Sequence, residues 1–300
     1  MSQQKKLPIY RPVTDSVHAL RHDGRPRRFL MHRPTVHGAA LLPVVVVLHG
    51  AGGTAAWTLA ETGWADKADR EGFLLVLPEG LRPDLTKPPH FLDNAPVWND
   101  GSPPLVPGEP QADDVGFVDA VLDAVRAEFS LDPRRVYVTG FSNGGGMTFR
   151  LGAERAGRFA ALAPVTGHCW LPDPRPQRPT PTLLLAGTAD PLFPLAGGEI
   201  VSPWTGRRLH RPSLDETLRR WAVALGAPPE PTRTTEGDGV RTLVYRGRDG
   251  VELTAHVIDG LGHHWPGGRG QFNSRLAGPP SDRLRANDVI WEFFKRHSLP

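Results

Sequence analysis

The sequence predicts an α/β protein with a mostly parallel central sheet covered by helices on both faces. Two observations carry this. Apolar runs of strand length alternate with longer helix-compatible stretches from about residue 43 to the end of the chain, the pattern that gives parallel strands joined by right-handed crossovers. The apolar runs are also continuous, Pro43-Val44-Val45-Val46-Val47-Leu48 above all, as strands buried on both faces require.

The elements follow in order. Residues 27–33 form a short strand, and 43–48 a buried one that ends at His49-Gly50. Thr54 caps a helix running to about residue 70, and 73–77 is the next strand. Asp113 or Asp114 caps a helix through 129. Residues 135–139 are an alternating, β-rich strand, and 147–151 continue as helix. Strands are expected at 159–165 and 182–186, a helix over 214–225, a last strand at 254–258 and a closing helix over 285–296. Neither an internal repeat nor a long low-complexity linker divides the 300 residues, so 1–300 reads as one catalytic domain. Two excursions, 80–111 (Pro-rich) and 267–285, follow a strand end and a candidate base; both could hang over the site as a partial lid.

Composition excludes several classes. A hydrophobic content of 39 % is enough for a core, and the 32 prolines fall in loops without forming a biased tract, so the chain is globular. The net charge is only +3 despite a pI of about 9.3. Its basic residues are scattered, which argues against nucleic-acid binding. Cys169 is the single cysteine, so the fold holds without an intrachain disulfide. No apolar run follows the basic start at Met1–Pro8, and none elsewhere reaches spanning length; no membrane association is expected. The expected location is the cytoplasm, or outside the cell had a leader been removed.

The chemistry concentrates at Gly140-Phe141-Ser142-Asn143-Gly144. A serine between a β-rich strand and a helix, flanked at two residues on each side by glycine, resembles the nucleophile elbow of the α/β-hydrolase fold. The reason for the spacing is steric: the serine sits at strained backbone angles, so its neighbours must be nearly free of side chains. The same turn aims the Asn143 amide at a developing oxyanion. A serine nucleophile needs a base and a carboxylate to orient it, in the chain order Ser, Asp, His. Leu183-Leu184-Leu185-Ala186-Gly187-Thr188-Ala189-Asp190 delivers Asp190 at a strand end. Candidate bases are His256, His263, His264 and His297; His263 is favoured because Gly260-Leu261-Gly262 allows a tight turn before it. The second oxyanion amide is assigned to Ala51, within His49-Gly50-Ala51-Gly52-Gly53, with His49 as a brace. Trp57, Trp98, Phe141, Trp204 and Trp265 are candidates for an apolar substrate wall. Adjacent His263 and His264 do not make a metal pair, and Asp113-Asp114 suits a helix start better than calcium; no metal is assigned.

These motifs, with Asp113-Asp114-Val115-Gly116-Phe117 and Gly262-His263-His264-Trp265-Pro266-Gly267, resemble the polyhydroxybutyrate depolymerase and feruloyl esterase branch of the α/β-hydrolases over most of the chain. The resemblance implies a serine esterase without cofactor, with Ser142, Asp190 and His263 at the triad positions and Ala51 and Asn143 at the oxyanion positions. Ala51 stands where many relatives carry a cysteine. The expected substrates are small-molecule or oligomeric esters: short-chain, hydroxyacyl (polyhydroxybutyrate-type) or aryl/feruloyl. The alternatives are a serine peptidase or amidase on the same fold, or a catalytically silent binding protein.

Overall fold

The computed structural model describes residues 15–35, 41–247 and 250–300; the basic start at Met1–Pro8 lies outside them. The apolar run after residue 41 forms the strand β3 (Leu42–Leu48), whose seven residues are all buried. Its side chains divide by parity, as strand geometry demands. Val44, Val46 and Leu48 enter one core with Val118, Val121, Met147 and Trp221, while Val45 and Val47 enter a second with Trp64, Phe73, Tyr137 and Trp291.

Around β3 a parallel block assembles from β4 (Leu74–Pro78), β5 (Leu131–Phe141), β6 (Ala161–Val165), β7 (Thr182–Gly187) and β12 (Glu252–Ile258), in the order β4-β3-β5-β6-β7-β12. Antiparallel strands finish both margins: β1 (Asp15–His22) and β2 (Arg25–His32) beside β4, and β11 (Val240–Arg246) and β10 (Arg233–Gly237) beside β12. The helices α3 (Asp114–Glu128), α4 (Asn143–Glu154) and α5 (Leu214–Ala224) cover the first core; α1 (Ala55–Thr62), α2 (Trp64–Glu71) and α7 (Ala286–Phe294) cover the second. No helix among the described residues is long and apolar enough to cross a membrane.

Several expectations are corrected. The helix from Thr54 is two helices, because Gly63 turns left-handed at φ 70° and both closes α1 and opens α2. β1 was not anticipated; it pairs with β2 through Asp23-Gly24, both at positive φ, the residues that suit a tight hairpin turn. β10 and β11 were missed as well. The closing helix α7 ends at Phe294, two residues before the expected 296, so His297 lies beyond it. A separate hairpin, β8 (Gly198–Val201) with β9 (Arg208–Arg211), and a one-turn helix α6 (Ser274–Ala277) stand outside the sheet.

The adjacent aspartates divide their work. Asp113 caps α3 by accepting from the Gly116 amide at 2.9 Å. Asp114 turns inward: its carboxylate takes Arg27 Nη2 at 2.6 Å and the Asn99 amide at 2.7 Å, and Arg27 lies 3.7 Å over the Phe117 ring. Burial pushes the Asp114 carboxyl up and the Arg27 guanidinium down, each opposed by its partner. Removing one member leaves the other charge buried and alone. Asp114→Ala is therefore expected to lower unfolding free energy by about 3–5 kcal/mol in denaturant titration, and Arg27→Met with Asp114→Leu to recover most of it.

Candidate active site

The carboxyl ends of β3, β5, β7 and β12 meet at one place, and the loops that leave them build the site. At the end of β5 the chain reverses into α4 through Ser142, at φ 57° and ψ −117°. A non-glycine residue there costs on the order of 1–3 kcal/mol of local strain. The flanking glycines are required by close approach: a Cβ on Gly140 would stand 2.2 Å from the Gly144 carbonyl oxygen, and one on Gly144 2.5 Å from that of His49. The Ser142 amide donates to Val165 O at 2.8 Å, while its side chain makes no capping bond to the helix it precedes. Its hydroxyl is left to face another group.

That group is His263. Its Nε2 lies 2.9 Å from Ser142 Oγ, and its Nδ1 lies 2.8 Å from Asp190 Oδ2. Asp190 is buried, and its other oxygen accepts from the amides of Leu192 and Phe193 at 2.9 and 2.8 Å. With both carboxylate oxygens accepting, the hydrogen-bond network assigns the proton to His263 Nδ1 and leaves Nε2 to accept from Ser142. The histidine is seated by backbone: its amide donates to Ala277 O at 2.5 Å, and a Cβ on Gly262 would stand 2.2 Å from that oxygen. The Phe141 ring packs 4.8 Å from the imidazole. His264 turns the other way, with Nε2 2.9 Å from Gly278 O; His256 bonds Thr242 Oγ1 at 2.9 Å on the margin of the sheet.

Ala51 and Asn143 both line the pocket beside Ser142. Among the described residues neither backbone N–H has an acceptor, the state in which an amide can serve an incoming oxyanion. The Asn143 side chain is a clamp not anticipated from sequence: Oδ1 accepts from the Trp98 amide at 2.7 Å and Nδ2 donates to Trp98 O at 3.0 Å. His49 braces the adjoining loop. Its Nδ1 donates to Gly50 O at 2.8 Å and its Nε2 accepts from the Gly80 amide at 2.9 Å; burial holds its pKa below the usual imidazole range.

Two substrate-wall expectations fail. Trp98 is fully buried, its ring tilted against that of His49 at 4.9 Å and donating Nε1–H to His49 O at 2.9 Å. Trp265 packs against Trp64 in the second core and donates to Asn287 Oδ1 at 2.9 Å. In each case the indole N–H finds an acceptor within the fold, so the side chain has reason to point inward. Trp57, Phe141 and Trp204 do line the pocket, which has a volume of about 490 Å³. Two further rings come from the long loops: Phe91 from 80–111 and Phe272 from 267–285 meet edge to face at 5.5 Å. Trp204 Nε1 holds Phe91 O at 2.6 Å, and buried Glu61 accepts from the amides of Gly270 and Gln271 at 2.8 and 3.1 Å. Both excursions therefore wall the pocket, anchored by polar contacts from elsewhere in the fold.

The family model described as Esterase PHB depolymerase matches residues 29–170, a span that includes Ser142 and both candidate oxyanion amides. "Putative esterase NocK" of Nocardia uniformis subsp. tsuyamanensis is 31 % identical over 94 % of this chain and 84 % of its own length. "Feruloyl esterase B" of Piromyces equi is 26 % identical over 88 % of this chain, which spans 44 % of that protein. Among solved structures, an acetyl xylan esterase from Aspergillus awamori aligns with TM-score 0.60 at 15 % identity, covering 93 % of this chain and 99 % of that one. The protein pOPH aligns with TM-score 0.56 at 17 % identity, over 86 % of this chain and 83 % of that one. At those identities the structural likeness speaks for the fold.

Proposed function

This chain belongs to the Esterase PHB depolymerase family of esterases, and from that premise we propose that it is a serine carboxylic-ester hydrolase working through an acyl-enzyme. The observation that carries the reading is the unbroken line Ser142 Oγ, His263, Asp190, at 2.9 and 2.8 Å, opening on an apolar pocket. Ser142 Oγ attacks the ester carbonyl as its proton passes to His263 Nε2. Asp190 steadies the imidazolium through Nδ1. The amides of Ala51 and Asn143 hold the oxyanion, each worth about 3 kcal/mol in the transition state. His263 then protonates the leaving alkoxide, and the ester bond breaks. Water, deprotonated by the same Nε2, attacks the acyl-enzyme and returns Ser142.

The pocket is within the size range that encloses a small ligand, and its rings suit short-chain, hydroxyacyl or aryl acyl groups. Hydrolysis of p-nitrophenyl esters from acetate to decanoate, of methyl ferulate and of hydroxybutyrate oligomers tests the reading against matched p-nitroanilides. Turnover of esters with no comparable turnover of anilides is expected. Faster cleavage of anilides would make the protein an amidase instead.

A further inference from the structure

One wall of the pocket is not apolar. Phe193, His168, Trp170 and Arg211 follow one another along it: His168 stacks on Phe193 at 3.9 Å, Trp170 stands edge-on to His168 at 5.3 Å, and the Arg211 guanidinium lies 5.4 Å from the Trp170 ring centre. Arg211, the last residue of β9, is the one Lys or Arg side chain among the pocket's lining residues. Its Nε is buried without a hydrogen-bond partner, and among the described residues it makes no ion pair. His168 is 4 % exposed; its Nδ1 lies 3.2 Å from Thr217 Oγ1, and its Nε2 is buried and unpartnered. Arg211 is half-buried, so its guanidinium lines the pocket as a cation that no acidic side chain among the described residues pairs, beside an imidazole that is itself buried.

Asp100 and Asp190 lie close enough to favour the charged guanidinium, but neither forms an ion pair with it. Asp190 has both oxygens occupied by His263 and two amides. Asp100 accepts from the Ser102 amide at 3.0 Å, and burial pushes its carboxyl up, toward the neutral form. A planar, always-charged donor fork on a half-buried side chain is matched well by a carboxylate.

We propose that Arg211, with His168 beside it, forms an anion subsite that receives a carboxylate carried by the ester substrate. The inference rests on the esterase reading above and narrows its substrate class to esters with a free acid: monoesters of dicarboxylic acids, where the acid is on the acyl side, or oligoesters, where it ends the alcohol side.

The test compares kcat/KM for mono-p-nitrophenyl glutarate with that for p-nitrophenyl butyrate, and for a hydroxybutyrate dimer with that for its methyl ester, in the wild type, Arg211→Gln and Arg211→Lys. The preference for the acid over its neutral match is expected to fall about 30- to 100-fold in Arg211→Gln, as loss of a buried charge partner does elsewhere. It should fall less in Arg211→Lys, which keeps the charge but not the fork. The pair that responds identifies the side of the ester on which the acid sits. An equal change on acid and neutral esters, or no change, would overturn the subsite. Calorimetric binding of monomethyl glutarate to Ser142→Ala, with and without Arg211→Gln, reads the subsite without turnover. Equal binding by both proteins would also overturn it, whereas Arg211-dependent binding with no ester hydrolysis by the wild type would sink the esterase reading alone.

Discussion

Ser142→Ala is expected to lower kcat for ester hydrolysis about 10⁶-fold, the scale seen when the nucleophile of such a unit is removed. The loss is chemical, because the backbone of the elbow does not depend on the Ser142 hydroxyl, whose one bond among the described residues is to His263. The elbow is held by the Ser142 amide on Val165 O and by the Asn143 side chain on the Trp98 backbone, and Oγ makes no cap to α4. Substrate KM should therefore change far less than kcat. Unfolding gives a second readout. Alanine keeps the strained φ of 57° and should unfold near the wild type, whereas Ser142→Gly relieves that strain and should be more stable by about 1 kcal/mol while equally inactive. The wild type then holds a local stress in order to present its hydroxyl.

Asp190→Asn is expected to cost about 10⁴-fold in kcat with little change in fold, through the tautomer of His263. The carboxylate has two acceptor oxygens, one for His263 Nδ1 and one for the amides of Leu192 and Phe193. An asparagine has one. Its oxygen must stay with the two backbone donors, because an NH₂ there would face them donor to donor. The NH₂ is then turned to Nδ1, which has to become the acceptor, and the ring proton moves to Nε2. In that form His263 cannot take the proton of Ser142. Single-turnover rates on a p-nitrophenyl ester measure the loss, and a loss under tenfold would mean that Asp190 does not set the tautomer.

The parts of this molecule that were legible in the sequence are those specified locally. Parallel strands buried on both faces announce themselves as apolar runs, and a residue at the carboxyl end of such a run has its position fixed by the sheet; Asp190 after β7 and Ser142 after β5 are both of this kind. The structure brings them to His263, and places Ala51 and Asn143 beside them. The margins were harder to read. β10 is exposed at each of its five positions and β1 is at most half-buried, so neither carries a hydrophobic signature that separates it from a loop. The pocket walls were hardest, because packing between distant segments decides them. Nothing near Phe91 or Phe272 predicts that they meet across 180 residues of chain. Trp98 and Trp265 were drawn inward by acceptors on His49 and Asn287 that no local pattern marks. Arg211 reached the site on a hairpin outside the main sheet.

The central claim is that Ser142 is a nucleophile activated by His263. A fluorophosphonate probe, which phosphonylates an activated serine hydroxyl and displaces fluoride, tests it directly when the adduct is mapped by peptide mass spectrometry. The account predicts one adduct on the wild type, at Ser142, absent from Ser142→Ala and strongly slowed in His263→Ala. An unlabelled wild type, or an adduct that persists in Ser142→Ala, would contradict it.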